Sequence, residues 1–311
     1  MIAERVLITG LSGPLGSELA DRLGDPVDHL GDVELVATFS SRRSRESFLR
    51  TMDPRLCRAM RAVVCDLADD ASVALLASAL RATERTVVVH AAAGPTIANV
   101  VRLARMTSRH THLISVSTAE RLVRPDCAGL ELSTFSCGLL VGHSRTGAIS
   151  RFTEFYRLPR LLNTGRMPAI PASPSGRLDV VPVDWVAGEL FGRLVAACRS
   201  GEPCDVVASA GDRAPRVRDV LAAIVATLNR RRVAEGRPTL PDVALLGMRP
   251  RDIPELPPRG TSSPAPSAST FLDPVVSFWL DREGQSQPCS WAVRNASARL
   301  LTPSLLTAAA R

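Results

Sequence analysis

The chain has 311 residues, 45% of them apolar, and a formal net charge of +7. That length exceeds the usual single domain and can bury a substantial core, so one large α/β domain with an appendage, or two domains, is expected. No apolar run approaches the roughly 18–20 residues that cross a bilayer, and Met1-Ile2-Ala3-Glu4-Arg5 reads as neither a secretory nor a transit signal, so a soluble, cytoplasmic protein with no membrane partner is expected.

Along the first 140 residues, short β-branched runs alternate with helical spacing. Strands are expected at Val6–Thr9, Glu34–Phe39, Ala62–Cys65, Thr86–His90, His112–Val116 and Leu130–Leu140. Helices are expected between them at Leu15–Leu23, Ser44–Met52, Ala71–Leu80 and Thr96–Met106. Such alternation means a parallel sheet covered on both faces, and continuous apolar runs such as Val87-Val88-Val89 suit its buried strands. Beyond Leu140 the pattern loosens. Helices are expected at Phe152–Leu162, at Asp184–Cys198 with Asp184 as N-cap, and at Arg216–Arg232, with a strand at Asp205–Ser209. Pro254–Thr270 is rich in Pro, Ser and Gly and reads as an irregular lid or loop; order returns around Phe271, Phe278, Trp279 and Trp291. The expected fold is a Rossmann-type, doubly wound parallel sheet over residues 1–150, followed by a smaller substrate-side region over residues 151–311.

Every one of the 38 basic residues is arginine, a pattern in keeping with GC-rich codon usage. Arginine stays protonated and is a poor proton donor or base. Arg230-Arg231-Arg232 closes a predicted helix, where cations suit the dipole, and reads as a solvated face. With one tyrosine and 4% aromatic residues, stacking platforms are scarce, so no nucleic-acid partner is expected. The basic balance suits a phosphorylated cofactor or an acidic carrier. The seven cysteines form no C-x-x-C pair, and no histidine stands at metal-ligand spacing, so reduced thiols and no metal are expected.

The segment with the clearest chemistry is Thr9-Gly10-Leu11-Ser12-Gly13-Pro14-Leu15-Gly16. It follows a predicted strand and opens a helix, which is where a glycine fingerprint binds a dinucleotide. Gly10 permits the tight turn, Gly13 lets backbone approach a pyrophosphate, and Gly16 lets the helix pack on the sheet. Ser12, Pro14 and Leu15 complete the loop at the helix N-terminus, which attracts the anion. An NAD site places an acid at the end of the second strand; here stand Ser40-Ser41-Arg42-Arg43. Arg42 and Arg43 suit a 2′-phosphate, so NADP is the expected cofactor, unless the two simply begin a solvated helix.

These residues resemble the extended short-chain dehydrogenase/reductase superfamily. The glycine loop, Cys65-Asp66-Leu67, His90-Ala91-Ala92-Ala93, Asn99 and Ser115-Val116-Ser117-Thr118 fit its pattern. Within it, Val141-Gly142-His143-Ser144-Arg145-Thr146-Gly147 and Val181-Pro182-Val183-Asp184-Trp185-Val186-Ala187 resemble the thioester reductase and fatty acyl reductase branch. The resemblance spans about residues 5–210. It implies that Asp66 and Leu67 border the adenine and Ala91 and Ala92 the nicotinamide half. It also puts Thr118, with Ser117 beside it, at the catalytic Ser/Thr position. The family's tyrosine, followed four residues later by lysine, has no counterpart: lysine is absent, and the lone Tyr156 falls after the sixth strand. Residues 119–129, where the helix bearing that pair belongs, number eleven and include Pro125 and Gly129, so the helix is expected to be shortened or lost.

Two functions follow. One is an NADP-binding biosynthetic enzyme acting on a thioester-bound or aldehyde intermediate, either a small molecule or a carrier-bound acyl group, with atypical or non-redox chemistry; Glu120 and His143 are candidate replacement donors. The other is a non-catalytic descendant serving as a binding or scaffolding module, since fold alone carries no function.

Overall fold

The computed structural model describes residues 2–24, 30, 32–92, 97–118, 129–165, 169–172, 176–246, 266 and 268–283. By contacts the chain divides into two units, the first comprising Met1–Cys137, Val186–Ala208 and Gly260–Ser262, the second Gly138–Trp185, Ser209–Arg259 and Ser263–Arg311. The division thus falls at 137/138, not at the residue 150 drawn from sequence, and Val186–Ala208 returns to the first unit.

In chain order the strands of the first unit are β1 (Arg5–Thr9), β2 (Glu34–Phe39), β3 (Met60–Val64), β4 (Thr83–His90), β5 (Ser108–Thr118) and β6 (Glu131–Cys137). After β7 (Leu139–Val141), β8 (Ala169–Pro171) and β9 (Val180–Pro182) in the second unit, β10 (Val206–Ala208) joins the first sheet. All pairs are parallel, in the order β10-β6-β5-β4-β1-β2-β3. Helices α1 (Pro14–Gly24), α2 (Arg42–Thr51), α3 (Pro54–Ala59), α4 (Asp70–Ala79) and α5 (Ile97–Thr107) make the crossovers. Val87, Val88 and Val89 are fully buried, as successive side chains of a strand covered on both faces must be. Helix α3 was not legible as a separate element, although Asp53 caps it through the Arg55 N–H (2.6 Å) and Pro54 opens it, a regular start signal.

The single strand expected at Leu130–Leu140 is two. Gly138 breaks it, because a Cβ there would lie 2.6 Å from the Asp179 carbonyl oxygen, and the Leu139 N–H donates to that same oxygen at 2.6 Å. Strand β7 pairs with β9 in a sheet of its own. In the second unit β8 pairs with β11 (Ala244–Leu246), and helices α6 (Arg157–Asn163), α8 (Val217–Ala234) and α9 (Ala268–Glu283) surround a core that includes Phe155, Ile224, Leu228, Phe271, Val275 and Trp279. Asp273 ties α9 to α8, accepting from Thr227 Oγ1 at 2.7 Å and pairing with Arg230. Of the segment expected to be irregular, residues 268–270 are helical; 254–265 and Trp291 lie outside the described residues. Helix α7 runs Val183–Arg199, so Asp184 sits in its first turn and not at its N-cap.

At the amino-terminal ends of β4–β6 the first unit buries charge. Arg85 donates to the Ala197 carbonyl (3.3 Å) and to Glu131 (3.4 Å), while Arg193 reaches Ser133 Oγ at 2.9 Å. His112 is fully buried, its Nε2 2.8 Å from the same Ser133 hydroxyl. Burial, aided by Arg193 and Arg85, pushes its pKa from 6.5 down to about 4, and burial alone does the same to His90. Between those values the unfolded chain takes protons that the folded chain refuses. The stabilisation from keeping each ring neutral is therefore intact above about pH 6.5 and lost as pH falls toward about 4. Urea unfolding should show stability falling by up to ~1.4 kcal/mol per pH unit per histidine in that window, and His112→Gln should flatten the slope. A slope unchanged by the substitution would contradict the burial of a neutral ring.

Candidate functional site

The glycine loop lies between β1 and α1, in the first unit. Gly10 has φ +85°, a left-handed conformation that favours glycine, and a Cβ on it would stand 2.5 Å from the Ala91 carbonyl carbon and 2.6 Å from the Ala92 nitrogen. A Cβ on Gly16 would meet the Gly10 carbonyl oxygen at 2.3 Å and the Leu11 Cα at 2.4 Å. Both glycines are thus demanded by backbone against backbone. Gly13 differs in degree: its Cβ would meet the Gly10 oxygen at 3.2 Å, so a side chain there asks that carbonyl to give by a few tenths of an ångström, a milder demand than at Gly10 or Gly16. The Gly13 N–H donates to Gly10 O (2.9 Å), and Pro14, which has no N–H to leave unpaired, begins the helix. Ser12 is exposed, and α1 has no acid in its first turn, so no carboxylate there would oppose an anion at the helix start.

The other expected residues sit at the same edge of the sheet. Arg42 and Arg43 are exposed at the start of α2, just after β2, with Ser41 as N-cap accepting from the Ser44 N–H at 3.2 Å. Asp66 and Leu67 follow β3; the Asp66 carboxylate accepts from the Ala68 N–H at 2.9 Å within its own turn, and the Leu67 carbonyl accepts from Asn99 Nδ2 at 2.8 Å. Ala91 and Ala92 follow β4, and the Ala91 N–H donates to Thr9 O at 3.1 Å. Ser117 and Thr118 end β5, where Ser117 Oγ lies 3.3 Å from Ser136 Oγ. Every one of these positions is at or just past the carboxyl end of a strand, along the contiguous order β5-β4-β1-β2-β3. The order turns at β1, with β2 on one side and β4 on the other, which is the switch point where open α/β sheets bind ligands. Glu120 and most of the 119–129 connection lie outside the described residues.

A buried pair beneath the loop escaped the sequence reading. Thr9 Oγ1 stands 2.7 Å from His90 Nδ1, joining the ends of β1 and β4, and burial holds that ring neutral near pH 7. The two residues are 81 positions apart, so no local pattern announces them.

In the second unit, Tyr156 lies in a 3-10 turn (Glu154–Tyr156) with only 3% of its surface exposed, packed against Phe152 and Phe155. Its hydroxyl accepts from the Gly142 N–H at 2.9 Å, and burial pushes the phenol's pKa up. The hydroxyl thus ties this 3-10 turn to the backbone at Gly142. Beside it Asp184 receives both the Ser144 N–H (2.8 Å) and the Ser144 hydroxyl (2.7 Å), which explains why it does not cap its helix. His143 Nδ1 accepts from the Arg145 N–H at 3.2 Å, so in the neutral ring Nε2 carries the proton. Among the described residues no cluster of His, Cys, Asp and Glu could hold a metal.

The geometry separates packing from binding. Gly16→Ala should destabilise the fold by several kcal/mol, since backbone must move to admit it, whereas Gly13→Ala should stay folded and lose affinity for a dinucleotide. Circular dichroism with a cofactor titration checks both. A folded Gly13→Ala that binds as the parent does would reduce the loop to a strand–helix turn.

Residues 104–190 match the NAD-binding family model described as "Male sterility protein". That span contains both segments, 141–147 and 181–187, whose residues resemble the thioester reductase branch. No curated protein matches the chain. Among solved structures, the terminal R domain of the myxalamid PKS-NRPS pathway is similar over 93% of each chain at 16% identity, with a TM-score of 0.56. The reductase (R) domain of a non-ribosomal peptide synthetase from Mycobacterium tuberculosis is similar over 79% of this chain and 73% of its own, at 19% identity and a TM-score of 0.51. UDP-glucose-4-epimerase from Stenotrophomonas maltophila, solved with bound NAD, is similar over 92% of this chain and 100% of its own, at 15% identity and a TM-score of 0.60. The chain therefore shares its fold with these reductase domains and this epimerase, and its residues 104–190 are similar to the NAD-binding family described as "Male sterility protein".

Proposed function

We propose that the protein binds NADP(H) and acts on a carrier-bound or small-molecule acyl thioester, or on the corresponding aldehyde, as a biosynthetic oxidoreductase with a degenerate catalytic site. The observation that carries this reading is the cradle at the carboxyl ends of β4, β1 and β2. There the glycine loop opens α1 with Gly13 under a milder packing demand than Gly10 or Gly16, and Arg42 and Arg43 stand exposed where an NAD site would place an acid. In this reading Gly10, Ser12, Gly13, Pro14, Leu15 and Gly16 hold the pyrophosphate, Arg42 and Arg43 the 2′-phosphate, Asp66 and Leu67 the adenine side, and Ala91 and Ala92 the nicotinamide half. The bound cofactor supplies the hydride. Two reductase domains of assembly-line synthetases with this fold support a carrier-bound substrate.

Proton supply is where this chain departs from such reductases. It has no lysine, and its one tyrosine is buried and occupied by the Gly142 N–H. The hydroxyls of Ser117 and Thr118, at the end of β5, are the proposed contacts to the substrate oxygen. General acid catalysis contributes about 10²–10⁴-fold, so reduction without a strong donor is slowed and not abolished. The described cysteines, 57, 65, 137, 198 and 204, are all free, which agrees with a reducing cytoplasm, and no helix among the described residues is long and apolar enough to cross a membrane. The buried Tyr156 equally favours a second reading, a non-catalytic binding module that keeps the cofactor fold.

Titrations with NADPH and NADH, followed by turnover with an acyl-pantetheine thioester and its aldehyde, test the proposal. NADPH should bind more tightly, and the double substitution Arg42→Ala and Arg43→Ala should erase the preference. Thr118→Ala should lower any turnover. Tyr156→Phe should leave it unchanged while lowering stability by about 1–3 kcal/mol through the unpaired Gly142 N–H. Binding without turnover would favour the module. No saturable binding would end the cofactor reading, and a hundredfold loss of turnover in Tyr156→Phe would return the catalytic acid to Tyr156.

A further inference from the structure

The strongest unexplained electrostatic feature lies on the first unit, along α2, α3 and β3. Between residues 42 and 61 stand seven arginines against only Glu46 and Asp53, a net +5 within a chain whose total is +7. Elsewhere several arginines meet acids, as in Arg5–Glu34, Arg85–Glu131 and Arg157–Glu154, and others donate to backbone carbonyls, as Arg177 and Arg232 do. Among the described residues, Arg61 is the one arginine of this face that meets an acid, at 3.8 Å from Glu34. Arg50, Arg55 and Arg58 are exposed and have no ion-pair partner among the described residues, and the buried Nε of Arg45 has no hydrogen-bond partner. Arginines also crowd the first turn of α2, the positive end of its dipole, where cations are disfavoured. Like charges gathered this way repel one another and gain nothing inside the chain. Cofactor binding accounts for Arg42 and Arg43 at most.

We infer that Arg50, Arg55 and Arg58, with Arg45 beside them, form a docking surface for a partner protein bearing clustered Asp and Glu side chains. Guanidinium groups are weakly hydrated and meet carboxylates through two parallel hydrogen bonds, which makes arginine the basic residue best suited to a protein interface. The face includes one exposed apolar side chain, Val64 (39% exposed), on β3, the outer strand of the sheet. A nucleic acid fits less well. The nearby aromatic residues, Phe39 and Phe48, are buried against each other with ring centroids 5.1 Å apart, so no ring is left for a base to stack upon. A membrane fits less well too, since the exposed turns of α2 and α3 offer no large apolar side chain to insert. This inference does not rest on the cofactor reading.

The test uses the whole protein and three probes: a fluorescein-labelled polyglutamate peptide, a single-stranded DNA oligonucleotide of equal charge, and phosphatidylserine-containing vesicles. Fluorescence anisotropy should show saturable binding of polyglutamate that weakens as ionic strength rises from about 0.05 to about 0.3 M. The triple variant Arg50→Gln, Arg55→Gln, Arg58→Gln should bind it roughly tenfold more weakly, the sum of three modest ion pairs, with circular dichroism and NADPH affinity unchanged. The corresponding lysine variant keeps the charge and should keep saturable binding. Failure of polyglutamate to saturate, equal binding by the glutamine variant, or loss of binding in the lysine variant would each overturn the proposal. Tighter binding of the oligonucleotide or of the vesicles would overturn it in favour of a nucleic-acid or lipid surface.

Discussion

The end of β1 and the end of β4 approach so closely that no side chain fits between them, and the site is built on that contact. Gly10, in a left-handed conformation, lies against the Ala91–Ala92 peptide, the Ala91 N–H reaches back to Thr9 O, and the Thr9 hydroxyl meets His90. Because α1 starts four residues later, the direction of its N-terminus is set by the same contact, and Gly16 lets the helix settle on the loop. An alanine at Gly10 would have to displace backbone on a neighbouring strand as well as accept a strained φ, a cost on the order of 1–3 kcal/mol for the conformation alone. The neutral state of His90 belongs to this arrangement, since a buried imidazolium there would need a counter-charge.

Electrostatics separates the first unit into regions with different tasks. At the amino-terminal edge Arg85 and His112 are buried with Ser133, next to the half-buried Arg193 and the exposed Glu131, and both arginines find acceptors. Such a network contributes little net stability, yet breaking it leaves a buried charge unpaired, which is costly. At the carboxyl edge the glycine loop offers N–H groups and a helix dipole without any acid. Along α2 and α3, Arg50, Arg55 and Arg58 stand exposed with no ion-pair partner among the described residues. Absence of lysine throughout means none of these positive charges can be discharged by a pKa shift.

Much of the first unit was legible because its signals are local. Glycine spacing after a β-branched run located the turn between β1 and α1, and β2 falls at Glu34–Phe39 as expected. Valine runs gave the buried strands. What was not legible depends on contacts between residues far apart in the chain. Gly138 ends β6 because Asp179 lies against it, and Asp184 serves Ser144 instead of its own helix end. Tyr156 stood outside the expected catalytic position because it follows the sixth strand, but its burial and its bond to Gly142 were not written in its neighbours. Arg42 and Arg43 were visible at once, but whether a basic helix start serves a phosphate or solvent is not written in one-dimensional order.

In the proposed function, the carboxyl ends of β4, β1 and β2 hold a phosphorylated dinucleotide. Amide hydrogen exchange of the protein with and without saturating NADPH tests it most directly, because it reads the backbone of the loop itself and needs no substrate. The account predicts slowed exchange at residues 11–17, 40–44 and 91–92, with the second unit's α8 and α9 unchanged. Exchange unaltered in the glycine loop, or protection confined to other segments, would contradict it.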